Sequence, residues 1–349
     1  MTTKSGKRGQ PGRSRKWVTK ADVARAANVS IGTVSHVLSG ARVVRPETRE
    51  RVEAAIAELG FQPDSVARAL VRRRTQTIGM LIPDVTNPFF ADLIWRVEQA
   101  LATVDHALIC GNSGNDPDRE QRYLQSFLER RVDAIIVGVA GRENLEFLRS
   151  VGKETPTLFV DRVIDEDGWD SVRCDNSAGM ALVVDHLTML GHRRIALING
   201  EPGLPTTMER ERAARARLAE HGIELMSAAT GAFTLESGQE QGRALLAKAR
   251  IPTAVCAGND LLAMGMMRAA AEAGLRVPDD ISVAGYDDIA YAEYASPPLT
   301  TVRQPVSDIA REIVRLVSER LAGREGMAQH VTLVPELRVR DSTAPAVRP

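Results

Sequence analysis

The period of apolar positions changes along the chain. Thr19 opens a short amphipathic stretch to about Ala27, Asn28 and Val29 form a tight break, and Ser30 opens a second stretch to about Leu38. Thr and Ser at these points can accept hydrogen bonds from first-turn backbone N–H groups, so the spacing predicts helix, turn, helix. A third helix is predicted from Pro46 to Leu59, with Val52, Ala55, Ile56 and Leu59 as its buried stripe and Gly60 at its end. Arg45 precedes it and supplies no capping hydroxyl, which weakens that start. The segment Pro63–Leu70 is helical in pattern but too short to be stable alone. With Arg72, Arg73 and Arg74 behind it, it reads as a linker that folds conditionally.

Beyond Thr77 the pattern becomes strand then helix, repeated. Apolar runs at 77–83, 107–110, 134–139, 157–161, 195–199, 253–257 and 281–285 are separated by amphipathic stretches. One such stretch has Leu182, His186 and Leu190 four apart, Val183 and Leu187 widening the same face, and Gly191 stopping it. Such alternation implies parallel sheets. About 270 residues of it exceed one small sheet, so the expected α/β architecture is two doubly wound lobes with a ligand cleft between them.

Charge adds a second division. The 349 residues carry 45 basic and 45 acidic side chains, yet residues 1–75 have a net charge of +10 and the remainder −10. A basic module ahead of an acidic body has the electrostatic footprint of phosphate binding. The first 17 residues hold six basic and no acidic side chains among Gly, Ser and Pro, and are expected to be a disordered tail. Cys110, Cys174 and Cys256 lack metal or disulfide spacing and read as small buried residues. No apolar run is long enough for a membrane helix and no secretory signal is evident, so a cytoplasmic location is expected. No metal or cofactor is called for.

Four stretches in order carry a resemblance: VTKADVARAANVSIGTVSHVLSG at 18–40, PDSVARAL at 63–70, RTQTIGMLIPDVTNPFFADL at 74–93, and GLRVPDDISVAGYDDIAYAEYASPPLTTVRQP at 274–305. From about Val18 to about Arg340 the chain resembles the LacI/GalR family of bacterial transcriptional repressors. The resemblance implies a three-helix DNA-binding headpiece at 18–62 and a hinge helix and linker at 63–75. It further implies an effector and dimerisation domain at 76–349, like periplasmic sugar-binding proteins. One lobe would span about 76–175 and 305–332, the other about 176–304 and 333–349.

On the headpiece, small or polar residues at Ile31, Gly32, Thr33, Ser35 and His36 allow close approach to base edges in a major groove. The resemblance makes 31, 32 and 36 operator-selecting and brings Arg42 to a base or phosphate; Thr19 and Ser30 join the expected DNA-contact set. In the hinge it implies Ala67, Arg68 and above all Leu70, an apolar residue with no evident core, as a minor-groove wedge. For the cleft it places Phe89 and Phe90 at a helix start, Asp161 at a strand end, Arg210 in a helix, Asn259 and Asp260 after a strand, and Asp287 in GYDD, while Phe233 could stack on a sugar face or a base. An arginine, carboxylates and an asparagine can satisfy adjacent hydroxyls, so a sugar-like effector is expected, with a purine stacked on Phe90 and Phe233 as the alternative. Ala213 and Ala214 stand where the family has a glycine and an aromatic, which implies a wider pocket.

Two rival readings meet counter-signals. A transport solute-binding protein would lack residues 18–70, and an α/β enzyme should show a nucleophile elbow, phosphate loop or metal motif, none of which is present. The expected partners are duplex operator DNA, read as a homodimer at the bacterial nucleoid, and the effector. After Leu337 the sequence RVRDSTAPAVRP cannot form a leucine heptad, so dimerisation would rest on helices near 85–103 and 260–274.

Overall fold

The computed structural model describes residues 18–39, 42–61, 74–163 and 168–346. The expectations on the basic tail and on Ala67, Arg68 and Leu70 fall outside them. Two compact units divide the chain at Thr75/Gln76.

In the first unit, α1 (Lys20–Ala26), α2 (Ile31–Ser39) and α3 (Pro46–Leu59) follow in sequence. Thr19 and Asp22 form a reciprocal capping box, with Asp22 N–H donating to Thr19 Oγ1 and Thr19 N–H donating to the Asp22 carboxylate at 2.9 Å. Ser30 Oγ accepts from Thr33 N–H at 3.1 Å and starts α2. Arg45 makes no side-chain cap before α3, as its chemistry dictates, and Gly60 ends that helix at φ 60°. Val23, Val34, Val37, Val52, Ala55 and Phe61 fill a core too small for any but short helices to share.

In the second unit the chain first lays down β1 (Thr77–Ile82), α4 (Pro88–Ala102), β2 (Ala107–Asn112), α5 (Pro117–Glu129), β3 (Ala134–Val137), α6 (Leu145–Glu154), β4 (Thr157–Val160) and β5 (Asp170–Cys174). It then crosses into a second lobe with α7 (Asn176–Met189), β6 (Ile195–Asn199), α8 (Pro205–Glu220), β7 (Ser227–Thr230), α9 (Leu235–Leu246), β8 (Ala254–Ala257), α10 (Asp260–Glu272), β9 (Ser282–Asp287), α11 (Ala290–Tyr294) and β10 (Thr300–Arg303). It returns through α12 (Val306–Leu321) and β11 (His330–Leu333), and crosses again to β12 (Glu336–Arg338). The sheet orders are β11-β5-β4-β3-β1-β2 and β12-β10-β9-β8-β6-β7. All pairings are parallel except β10 with β12. Strand order reverses at β1/β3 and again at β6/β8, the topological switch points beside which α/β sheets bind ligands.

Two expectations on packing are corrected. Cys174 and Cys256 are buried, and burial pushes both thiols to about 12, but Cys110 is exposed because β2 is an edge strand. The buried stripe of α7 is Met180, Val183, Val184 and Leu187, whereas Leu182 is 36% exposed. His186 turns instead to Thr343 Oγ1 at 2.8 Å, since the segment after β12 runs along that side of the helix.

Candidate functional site

Helix α2 divides its residues by burial. Val34 and Val37 enter the core, while Ile31 is 53% exposed, Gly32 is exposed, and Thr33, Ser35 and His36 are half-buried at the surface. Gly32 is not forced by space, for a Cβ there would meet only Ser30 Oγ at 3.6 Å. Arg42 is exposed beyond the helix. Thr19 and Ser30 are already engaged as caps, so their hydroxyls first serve the helix starts.

In the two-lobed unit the polar residues converge where strands end. Asn87 caps α4, accepting from Phe89 N–H at 3.0 Å, and so sets Phe89 and Phe90 at the helix start, edge to face at 5.0 Å. The end of β4 carries Asp161 and Arg162. From the other lobe come Thr206 and Arg210 on α8, Phe233 after β7, Asn259 after β8, Asp287 at the end of β9 and Gln304 after β10. These eleven residues line one cavity, whose free volume is about 20 Å³. Asp161 and Asp287 hold the chain at φ 60° and 111°, a conformation costly to non-glycine residues and typical of backbone held in place for function. A Cβ at Gly200 would lie 2.1 Å from the Phe233 ring, so that glycine lets the aromatic seat beside the cavity.

Charge in the cavity is paired and desolvated. Arg210, 3% exposed, donates from Nε to Asn176 Oδ1 at 2.9 Å and from Nη1 to the Gly258 carbonyl, and its Nη2 lies 3.8 Å from Asp287 Oδ1. Asp287 also accepts from Gln304 Nε2 at 2.8 Å; burial outweighs both neighbours and pushes its carboxyl up to about 7. Burial likewise raises Asp161 against the pull of Arg210 and Arg162. Arg162, 3% exposed, is held by Asn115 Oδ1. Its Nε, Asn259 Nδ2 and Gln304 Oε1 are buried without a protein hydrogen-bond partner. Two donors, an acceptor and two carboxylates around a small space suit a molecule whose groups both donate and accept, as hydroxyls do.

Seven of the eight residues expected at the cleft line this cavity. Asp260 does not: it is fully buried behind the wall, accepting from Ile289 N–H at 2.8 Å and from Thr301 Oγ1, and it holds the loop after β9 in place. Phe89 and Phe90 serve twice, lining the cavity and packing into the core. Sequence reasoning missed Asn87, Arg162, Thr206 and Gln304. Arg162 directly follows an expected ligand residue at a strand end, and that adjacency was the available signal.

A helix-turn-helix unit and a two-lobed α/β unit with a polar cavity at its strand ends, in one chain, define a DNA-binding regulator that responds to a small molecule. Residues 19–64 match the bacterial regulatory proteins of the lacI family, and residues 184–343 match a periplasmic binding protein-like domain. The chain is 34% identical over 327 residues to the HTH-type transcriptional repressor PurR of Photobacterium profundum, covering 93% of this chain and 98% of that protein. It is 36% identical over 299 residues to the ribose operon repressor of Bacillus subtilis, covering 86% and 90%. The Lac repressor dimer bound to operator and the anti-inducer ONPF superposes with a TM-score of 0.86 at 30% identity, over 94% of this chain and 100% of that one. A LacI family regulator from Enterococcus faecium with bound ribose gives 0.69 at 32% identity, over 78% and 100%. The chain belongs to the LacI family of bacterial regulatory proteins and is a DNA-binding regulator of transcription.

Proposed function

We propose that this regulator is a repressor that binds a near-palindromic operator as a homodimer, and that a sugar or sugar derivative, held in the cleft, controls its affinity. The carrying observation is the cavity's lining: two arginines, two aspartates, an asparagine and a glutamine between aromatic walls. The ribose-bound relative and the ribose operon repressor support the same class. Asp161, Asp287, Gln304 and Asn259 would meet hydroxyls, Arg162 and Arg210 would meet hydroxyl or ring oxygens, and Phe233 would cover a sugar face.

For the DNA, Ile31, Gly32 and His36 would face base edges and Arg42 a base or phosphate, with Leu70 as the hinge wedge. Ligand and operator must then change each other's affinity by the same factor. Calorimetric titration of the full chain with ribose, other pentoses, hexoses and hypoxanthine tests the effector class. Ribose or another sugar is expected to bind. Tighter binding of hypoxanthine would instead establish the purine reading, which rests on Phe90 and Phe233 lining the cavity.

A further inference from the structure

Arg210 has four rotatable side-chain bonds, and a ligand that had to order them would lose affinity in doing so. Here the ordering is done by the protein. The Gly258 carbonyl takes Nη1, and the Tyr286 ring lies 3.7 Å beneath Cζ. A ring face sets the guanidinium plane but leaves rotation within it, and one carbonyl fixes only one end of the fork. The second fixed point is Asn176, whose Oδ1 accepts from Arg210 Nε at 2.9 Å.

Asn176 opens α7 and is 2% exposed. An amide can present oxygen or NH2, and only the oxygen can accept from an arginine. Glu209 decides between them: its Oε2 accepts from Asn176 Nδ2 at 2.8 Å, so the oxygen is left facing Arg210. Glu209 Oε1 in turn accepts from Arg173 Nη1 at 3.1 Å, on β5 in the other lobe. Glu209 and Arg210 are neighbours on α8 and project roughly 100° apart, so the link between them runs through Asn176.

Building on the reading of the cleft as an effector site, we propose that Asn176 is a positioning residue: it holds the Arg210 guanidinium in the orientation that the effector meets, with its own amide turned by Glu209. Asn176 acts through its polarity as well as its contact. The paired substitution N176D/E209Q would preserve an acceptor for Arg210, a donor from position 209 and an oxygen for Arg173, whereas N176D alone would set two carboxylates together.

Ligand-free crystal structures of the wild type and Asn176→Ala, with ribose titrations of wild type, N176A, N176D and the N176D/E209Q double variant, test this. Arg210 should turn away in N176A, ribose affinity should fall about tenfold or more in N176A, and the double variant should bind several-fold tighter than N176D alone. An unmoved guanidinium in N176A, or a double variant no better than N176D, overturns the proposal; the comparison of N176D with the double variant decides it should N176A fail to fold. A wild type silent to ribose counts against the sugar reading alone, because the position of Arg210 in the ligand-free crystals still decides the role of Asn176.

Discussion

The outer face of α2 and the cleft solve opposite problems of recognition. On α2 the side chains proposed to read DNA stand at the surface, and Gly32 has room for a side chain, so the face can change with little effect on the core behind it. In the cleft the proposed ligand residues are buried and tied to one another: Arg210 to Asn176, Gly258 and Asp287, and Asp287 to Gln304. A surface can be re-specified one residue at a time, because surface changes away from caps and cores usually shift stability by only about 0.5 kcal/mol or less. A buried polar network resists such change, because removing one member leaves the others unsatisfied. The two faces should therefore fail independently, and each should fail in its own way.

The largest effect is expected from Arg210→Ala. Charge-assisted hydrogen bonds are worth roughly 1.5–3 kcal/mol each, so losing those of Arg210 should abolish effector response while operator binding without effector persists. Calorimetry and a gel-shift titration check the two halves; lost operator binding in a folded variant would break the separation. His36→Ala should do the converse, costing about 1–3 kcal/mol of operator affinity and relaxing preference at one base pair per half-site, with effector binding intact. A binding-site selection reads that preference.

A smaller and distinctive effect belongs to pH. Asp287 carries a carboxyl raised to about 7, so the folded state holds its proton more tightly than the unfolded chain does. Its contribution to stability is complete below the usual carboxylate range and declines as pH rises towards 7. Hydroxyls donate to the ionised form, so effector binding should release a proton and strengthen as pH rises from 6 to 8. Asp287→Asn should flatten that dependence, and titrations in buffers of different ionisation heat count the proton. The smallest effect is on the caps: Thr19→Ala should lower the stability of the first unit by about 1 kcal/mol, read by thermal melting, because its hydroxyl serves α1.

Much of this was legible where local chemistry and tertiary demand coincide. Pro46 and Gly60 bound α3 because their backbone preferences are intrinsic. Strands β1, β3 and β6 showed as apolar runs because helices cover both their faces. The runs that escaped notice are of another kind. β7 reads SAAT and owes its place to pairing with β6, and β5 reads DSVRC, whose Asp170 is buried only because Arg320 and Arg324 meet it from α12 and the turn after it. In the cleft, Arg210 and Asp287 stood out as charges within recognisable motifs. Gln304 carries no periodic signal and follows β10 just before the chain crosses to α12, whereas Thr206 stands four residues before Arg210 on the same face of α8, a spacing that was available as a signal. Asp260 misled for the opposite reason: beside Asn259 in sequence, it starts α10 with its side chain turned inward to Thr301 and Ile289.

If the cleft governs DNA binding, operator affinity measured by fluorescence anisotropy must differ with and without saturating ribose. A change of about 5- to 150-fold is expected, weaker for an inducer and tighter for a corepressor. An identical operator affinity at a ribose concentration that calorimetry shows to fill the cleft would contradict it.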